Sequence, residues 1–251
     1  MRMLDTQVLV HMQSGRRPAP IQSAIASVAA KEFLIAYGNK PDRERYYPSP
    51  AMSWRHSPVV LADAAGRARH VTRRKSAERL IIDFPDQKET VIEFSNRTFA
   101  KIINDRRLDA FDAKIAGLAR EEQRQLRLRF NLLVEHSVQC FALEEQALAF
   151  GLDILAELLI SHAPKANFLN TLRDTLILGV AVKHGIPLQT EDKLLGKLAA
   201  TRFGVNLIDE GEDVIVDFGT AASTVRPQRL ESKGYIHRGW RIATDARPGD
   251  G

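Results

Sequence analysis

The segment from Arg173 to Leu195 constrains the fold of this 251-residue chain more than any other part of the sequence. Apolar residues recur at helical spacing from Phe168 to His184, and after one glycine a short apolar run follows from Ile186 to Gln189. An acid lies at each end of this helix and strand unit, Asp174 near the start and Asp192 just beyond the strand. A helix that leads directly into a short buried strand is typical of an α/β protein.

The rest of the chain also alternates between helical and strand-like patterns. The apolar run from Met3 to Val10 predicts a strand, and the spacing from Ile21 to Tyr37 predicts an amphipathic helix. Two runs, Leu80 to Phe84 and Thr90 to Phe94, predict a β-hairpin. Further helices are predicted over 99–118, 126–150, 152–162 and 192–203, with strands over 205–208 and 213–218. We therefore expect an α/β fold in three layers, a parallel sheet flanked by helices on both faces.

Composition narrows the class of protein. With 44% hydrophobic and 27% charged residues, the chain has the balance of a soluble globular protein, and its apolar stretches are far shorter than the roughly 20 residues of a membrane span. Cys140 is the lone cysteine, which excludes an internal disulfide and a Cys-rich zinc site. The absence of a Gly-rich phosphate loop and of a nucleophile elbow argues against an NTPase or a serine hydrolase. A cytoplasmic protein without a membrane partner is expected.

Four acids are placed where they could meet at one edge of the predicted sheet. Asp5 follows the first strand, Glu32 lies on the first helix, and Asp174 and Asp192 flank the C-terminal unit. Active sites of open parallel sheets form beyond the carboxyl ends of the strands. Carboxylates held together repel one another unless a divalent cation neutralises them. The sequence therefore predicts a site for Mg²⁺ or Mn²⁺.

Each acid also has a purely structural interpretation. Asp192 stands where an N-cap would, Glu32 and Asp174 could be solvated helix positions, and Asp5 could end a strand at a turn. The joint order of a strand-Asp-Thr start, a helix from Ser to Glu and a unit from Asp to Thr-x-Asp favours one shared site over four unrelated acids.

These motifs resemble the PIN-domain family of metal-dependent ribonucleases. The resemblance covers roughly residues 1 to 37 and 150 to 210, about 100 of 251. It rests on the following motifs: Leu4-Asp5-Thr6, Ser27-Val28 with Glu32, Asp174 followed by Leu176-Ile177 and Ala181, the His184-Gly185-Ile186 turn, and Leu188 with Thr190 and Asp192. Gln7 departs from the pattern, because the family usually has Asn at this position.

The resemblance implies an endoribonuclease that hydrolyses phosphodiester bonds of single-stranded RNA and leaves 5′-phosphate ends. It also implies the residues of the site: Asp5, Glu32, Asp174 and Asp192 as the catalytic metal ligands, with Thr190 and Thr6 in supporting roles. Glu32 and Asp174 lie 142 positions apart, which is more than a compact member of the family needs. We therefore predict a core at 1–38 and 126–218, an insertion at 39–125 and a basic C-terminal extension at 219–251.

Positive charge concentrates in the two added segments. The stretch from Gly66 to Arg79 carries six Lys or Arg residues against one acid, and the extension carries six against three, interleaved with Tyr235 and Trp240. Cations beside flat rings are suited to phosphate neutralisation and base stacking, although a plain solvated surface is equally compatible with either patch. The predicted nucleic-acid contacts are Arg73, Arg74, Lys75, Arg238, Trp240 and Arg241.

Other functions stay open on sequence alone. One is a catalytically inactive PIN-like module that binds RNA or a protein, and another is a nuclease selective for structured DNA. The biological role could be that of a toxin with a cognate antitoxin, of an RNA-processing enzyme or of a defence nuclease. The apolar helices from Leu126 to Ile160 leave a homodimer possible.

Overall fold

A six-stranded sheet forms the centre of the fold. The structure is a computed structural model that describes residues 1–35, 79–83, 91–94, 96–161, 168–218 and 241–244. The strands of this sheet are β1 (Arg2–Leu4), β2 (Ser23–Ala26), β5 (Gln139–Phe141), β6 (Leu188–Thr190), β7 (Asn206–Glu210) and β8 (Asp213–Asp217). Their order is β5-β2-β1-β6-β8-β7, so the first strand lies in the interior of the sheet.

The sheet is mixed, which corrects the expected all-parallel arrangement. Strands β5, β2, β1 and β6 are parallel, whereas β8 pairs antiparallel with both β6 and β7. The reversal arises because β7 and β8 are joined by a two-residue turn, with Glu210 paired to Asp213. Gly211 takes a φ of 79° at the first turn position, a conformation that glycine adopts readily. A parallel neighbour would have required a long crossover instead.

Helices cover both faces of this sheet. Within the described residues they are α1 (Thr6–Gln13), α2 (Ser27–Phe33), α3 (Asn96–Asn104), α4 (Leu108–Ile115), α5 (Arg120–Glu135), α6 (Glu145–Ser161), α7 (Phe168–His184) and α8 (Lys193–Phe203). Side chains of a strand alternate between faces. Met3 accordingly joins a core with Leu148 and Leu176 of α6 and α7, whereas Leu4 joins a core with Phe99 of α3. The expected three-layer α/β arrangement is therefore confirmed.

Two predicted elements near the N-terminus are partly wrong. The expected strand from Met3 to Val10 ends at Leu4, because Asp5 caps α1 and the chain turns helical at Thr6. The expected helix from Ile21 to Tyr37 begins only at Ser27, because Ser23–Ala26 is a fully buried strand. A short run that is buried on both faces lacks an alternating pattern, so periodicity cannot distinguish it from a buried helix.

The middle of the chain contains a strand that the sequence did not reveal. The helical pattern expected from Leu126 to Phe150 is interrupted by β5, and the break expected near Gly151 is absent because α6 is continuous. Gly151 instead faces α7, where an added Cβ atom would lie 2.9 Å from the Thr175 carbonyl oxygen. Small residues on both helices thus allow close packing of α6 against the helix that carries Asp174.

A separate three-stranded antiparallel sheet contains strands from the predicted insertion and from the predicted C-terminal extension. Strands β3 (Arg79–Asp83) and β4 (Val91–Phe94) pair antiparallel, which confirms the strands of the predicted hairpin. Strand β9 (Arg241–Thr244) pairs with the other side of β3, with Leu80 opposite Thr244. A strand from the predicted C-terminal extension therefore pairs with a strand from the predicted insertion.

The apolar residues of α5 and α6 pack largely inside the chain. Leu126, Phe130 and Leu133 are buried in the core, and Leu128 and Ile160 are exposed. None of the helices in the described parts of the chain is long and apolar enough to cross a membrane.

Candidate functional site

The site lies where the chain changes direction across the sheet. From β1 the chain continues to β2 on one side, and it returns much later to form β6 on the other side. In open α/β sheets such a switch point creates a crevice beyond the carboxyl ends of the two strands. Asp5 follows β1, and Thr190 is the last residue of β6. The backbone amide of Asp5 donates to the Gln189 carbonyl at 3.1 Å, which fixes the two strand ends side by side.

A cavity of about 750 Å³ opens at this switch point. All four acids predicted from the sequence line it, so the structure brings together Asp5, Glu32, Asp174 and Asp192. The remaining lining residues are Thr6, Gln7, Val10, Phe33, Ile35, Arg129, Asn170 and Glu191. Thr190 is fully buried at the base of the site.

Asp5 is a buried acid held by two hydrogen bonds. Its Oδ1 accepts from the Thr6 amide at 2.6 Å, and its Oδ2 accepts from the Thr190 hydroxyl at 2.7 Å. Burial raises the pKa of Asp5 to about 6, and the nearby carboxylates of Glu32 and Asp192 contribute to the rise while the two hydrogen bonds oppose it. Asp5 follows the end of β1, as its structural interpretation expected, and it also caps α1, but its environment penalises the ionised form.

Glu32 is engaged at both carboxylate oxygens. Its Oε2 accepts from the Thr6 hydroxyl at 2.8 Å, and its Oε1 lies 3.2 Å from Nη1 of Arg173. The side chains of Glu32 and Arg173 are 18% and 16% exposed. Glu32 is therefore not the solvated helix residue of the alternative interpretation, because two different elements hold it in place.

Asp192 begins the helix that follows β6. Its Oδ1 accepts from the Leu195 amide at 2.9 Å, so it is the N-cap of α8, and its own amide donates to the Thr190 hydroxyl at 3.0 Å. The N-cap interpretation of Asp192 is thus confirmed, and the same residue also faces the cavity. Asp174 lines the cavity from α7.

Sequence reasoning missed two cations at the site. Arg173 was visible next to Asp174, yet a helical pattern does not show that its side chain reaches Glu32. Arg129 of α5 donates from Nη1 to the carbonyl oxygens of Phe33 and Ile35, at 2.9 and 3.0 Å. Nothing in the sequence signals this contact, because Arg129 lies in the segment between the motifs. The cavity therefore has a wall of mixed charge.

A second ionic network supports the rim of the cavity. His11 lies with Nδ1 2.8 Å from Glu191, and Arg17 lies 3.4 Å from the same carboxylate. Arg17 also forms an ion pair with Oδ2 of Asp213, and the same oxygen accepts a hydrogen bond from Gln189 Nε2 at 2.7 Å. Burial raises the pKa of Asp213, but these partners outweigh it and lower the pKa overall. The network ties α1 to the ends of β6 and β8.

The donor set fits a divalent cation in chemical type. Five acids line the cavity, the four predicted ones and Glu191, and carboxylate oxygens are the ligands that Mg²⁺ and Mn²⁺ prefer. The penalty on ionised Asp5 is one that a nearby cation would relieve. Among the described residues, however, no three His, Cys, Asp or Glu side chains are gathered tightly enough to hold an ion as they stand. Oε1 of Glu32 is occupied by Arg173, so an ion that used this oxygen would have to displace the guanidinium.

The predicted nucleic-acid contacts fall almost entirely outside the described residues. Five of the six lie outside the described residues: Arg73, Arg74, Lys75, Arg238 and Trp240. The sixth, Arg241, is the first residue of β9. Their role in binding remains a prediction. No family model, curated protein or solved structure matches this chain.

Proposed function

We propose that the chain is a metal-dependent endoribonuclease that hydrolyses phosphodiester bonds of single-stranded RNA. The observation that carries the proposal is the convergence of four carboxylates, from segments far apart in sequence, on one cavity at the switch point of the sheet. The resemblance to PIN-domain ribonucleases supports the same reaction class.

The residues of the site have separable tasks. Asp5, Asp174 and Asp192, helped by Glu32, would hold one or two Mg²⁺ or Mn²⁺ ions, which would lower the pKa of the attacking water and stabilise charge on the phosphate. Thr190 fixes the orientation of Asp5 through the hydrogen bond at 2.7 Å. The Thr6 hydroxyl orients Glu32 in the same way at 2.8 Å. These hydroxyls hold the carboxylates in place before an ion arrives.

Substrate choice follows from charge and from the resemblance. Arg129 adds positive charge to the acidic wall of the cavity. The basic stretches at 66–79 and 219–251 would neutralise phosphates away from the cleavage site. Hydrolysis at the 3′ oxygen then leaves a 5′-phosphate on one product.

One observation favours a second candidate, an inactive RNA-binding module. Glu32 is already neutralised by Arg173, so the described core needs no metal to satisfy this acid. Such a protein would bind RNA through its basic segments and leave it intact. A cognate antitoxin or another protein partner would be compatible with either candidate.

The deciding experiment is cleavage of labelled single-stranded RNA with Mn²⁺, with Mg²⁺ and with EDTA. We expect cleavage only with metal, and we expect Asp174→Asn to lose at least about a hundredfold in rate, as loss of a metal ligand should. The control is Asp105→Asn, an exposed acid that pairs with Lys101 and does not line the cavity. Binding without cleavage by the parent protein would establish the inactive module. Cleavage of flap or hairpin DNA but not of RNA would identify a structure-selective DNA nuclease.

A further inference from the structure

Arg173 and a metal ion would compete for the same group, the carboxylate of Glu32. It precedes Asp174 on α7, and its guanidinium reaches across to Glu32 on α2, with Nη1 3.2 Å from Oε1. Both side chains are more than four-fifths buried, so the pair is screened less than a surface ion pair. The guanidinium thus places a positive charge on one of the acids proposed to bind the ion.

The ion pair between Arg173 and Glu32 is of a kind that a metal ion can replace. It joins one nitrogen to one oxygen, whereas a bidentate Arg–carboxylate pair would use two parallel hydrogen bonds and would hold more strongly. The other oxygen of Glu32 keeps its hydrogen bond from Thr6, so the carboxylate stays oriented when the guanidinium leaves. A divalent cation carries twice the charge and can replace the guanidinium at Oε1.

We propose that Arg173 is the internal counter-ion of Glu32, that it is displaced when a divalent cation binds, and that the released guanidinium then binds a phosphate of the RNA strand. The inference rests on the proposed function and adds a phosphate-binding residue to the site. The guanidinium lies 3.2 Å from Glu32, which lines the cavity, so its release leaves it close to the proposed path of the RNA strand. Arginine is suited to this second role because its planar group matches the geometry of phosphate.

The two roles predict opposite effects of one substitution. Replacing Arg173 with Met removes the competitor for Glu32, so Mn²⁺ alone should bind more tightly. The same change removes a phosphate contact, so RNA should bind more weakly and with a smaller salt dependence. A residue that merely supports the fold would weaken both interactions or neither.

The test measures the affinity of Mn²⁺ alone by isothermal titration calorimetry on the full chain. We expect Arg173→Met to lower the Kd for Mn²⁺ roughly fivefold, the effect of removing an ion pair of ordinary strength. Arg202→Met is the matched control, because Arg202 pairs with Glu157 at 3.3 Å and neither residue lines the cavity. The control should bind Mn²⁺ as the parent does.

RNA binding is measured separately by fluorescence anisotropy in Ca²⁺, where cleavage should be suppressed. We expect the slope of log K against log salt to fall by about 0.7 for Arg173→Met, the loss of one phosphate contact on a single strand. If Arg173→Met does not fold, Arg173→Gln gives the same readouts, since it is neutral but keeps a donor for Glu32.

The outcomes separate this inference from the proposed function. Unchanged or weaker Mn²⁺ binding by a folded Arg173 variant, with Mn²⁺ binding and RNA cleavage intact in the parent, overturns the counter-ion role alone. An unchanged salt slope overturns the phosphate contact. A parent protein that binds no Mn²⁺ overturns the inference and the proposed function together.

Discussion

Thr190 donates its hydroxyl to Oδ2 of Asp5 at 2.7 Å, although the two residues lie 185 positions apart in sequence. The same hydroxyl accepts from the Asp192 amide at 3.0 Å. One buried side chain therefore connects two of the acids of the site and fixes the ends of β1 and β6 relative to each other. A supporting residue of this kind should affect metal binding without touching the metal.

Thr190→Val should weaken Mn²⁺ binding by about 10-fold to 100-fold, because valine keeps the shape of threonine and removes the hydroxyl that orients Asp5. Loss of the buried hydrogen bonds should also lower the free energy of unfolding by about 1 to 3 kcal/mol. Thr190→Ser retains the hydroxyl and should stay near the parent in Mn²⁺ affinity. Calorimetric titration and urea unfolding measure the two effects, and equal Mn²⁺ affinities for the Val and Ser variants would contradict the role.

Asp5→Asn should stabilise the metal-free protein in EDTA, and the gain should depend on pH. Burial raises the pKa of Asp5 from 3.8 to about 6, so ionisation costs folding free energy as the pH rises between these values. The cost is absent below pH 3.8 and complete above about 6, and it amounts to about 2 to 3 kcal/mol. Asparagine has no such cost.

The measurement is the free energy of unfolding of both proteins in EDTA at about pH 4 and about pH 7. We expect the advantage of Asp5→Asn to appear mainly at the higher pH. An advantage of the same size at both pH values would show that ionisation of Asp5 is not its source. Asp105→Asn serves as the control for the loss of an exposed acid.

The C-terminal half of the site could be predicted closely from sequence. The expected helix from Phe168 to His184 is the observed α7, and the observed strand β6 ends at Thr190, one residue beyond the expected end. Both elements have strong signals, since a long periodic helix ends at a glycine and a short apolar run follows. The predicted acids then follow from the rule that strand ends share an edge of the sheet.

Other parts of the fold could not be predicted because they depend on tertiary packing. Strand β2 looks like part of a helix because both of its faces are buried, and β5 has only three residues. The pairing of Glu32 with Arg173 depends on how α2 and α7 pack, which no local pattern contains. The antiparallel direction of β8 could not be predicted without recognising that Gly211 forms a tight turn.

Gly179→Ala should lower the free energy of unfolding by about 3 kcal/mol or more, despite the better helix propensity of alanine. A Cβ atom at Gly179 would lie inside contact distance of the Ala147 carbonyl oxygen and 2.7 Å from the amide nitrogen of Gly151, so helices α6 and α7 would have to separate. Gly204→Ala is the control, because its φ of 62° carries backbone strain of about 1 to 2 kcal/mol but open space surrounds it. Urea unfolding should rank Gly179→Ala as the more destabilised variant.

The basic segments should govern RNA binding more than chemistry, and point substitutions test this better than truncation. Deleting the chain after Gly219 would remove β9, which pairs with β3, and would therefore disturb the insertion as well. Substituting the cluster of Arg73, Arg74 and Lys75 with Gln leaves the sequence of every described strand unchanged. Removal of three phosphate contacts should lower the slope of log K against log salt by roughly two units on a single strand.

Trp240→Ala tests the extension in the same assay, with an expected loss of about 1 to 3 kcal/mol in RNA binding if the ring stacks on a base. The matched control for the triple substitution replaces Lys101, Arg106 and Arg107, three exposed cations that do not line the cavity. Anisotropy is measured in Ca²⁺ across a salt series. A triple variant with the parent's affinity and slope would assign the cluster at 73–75 a structural or protein-binding role, whereas a slope reduced equally by the control would show that RNA binds through diffuse positive charge.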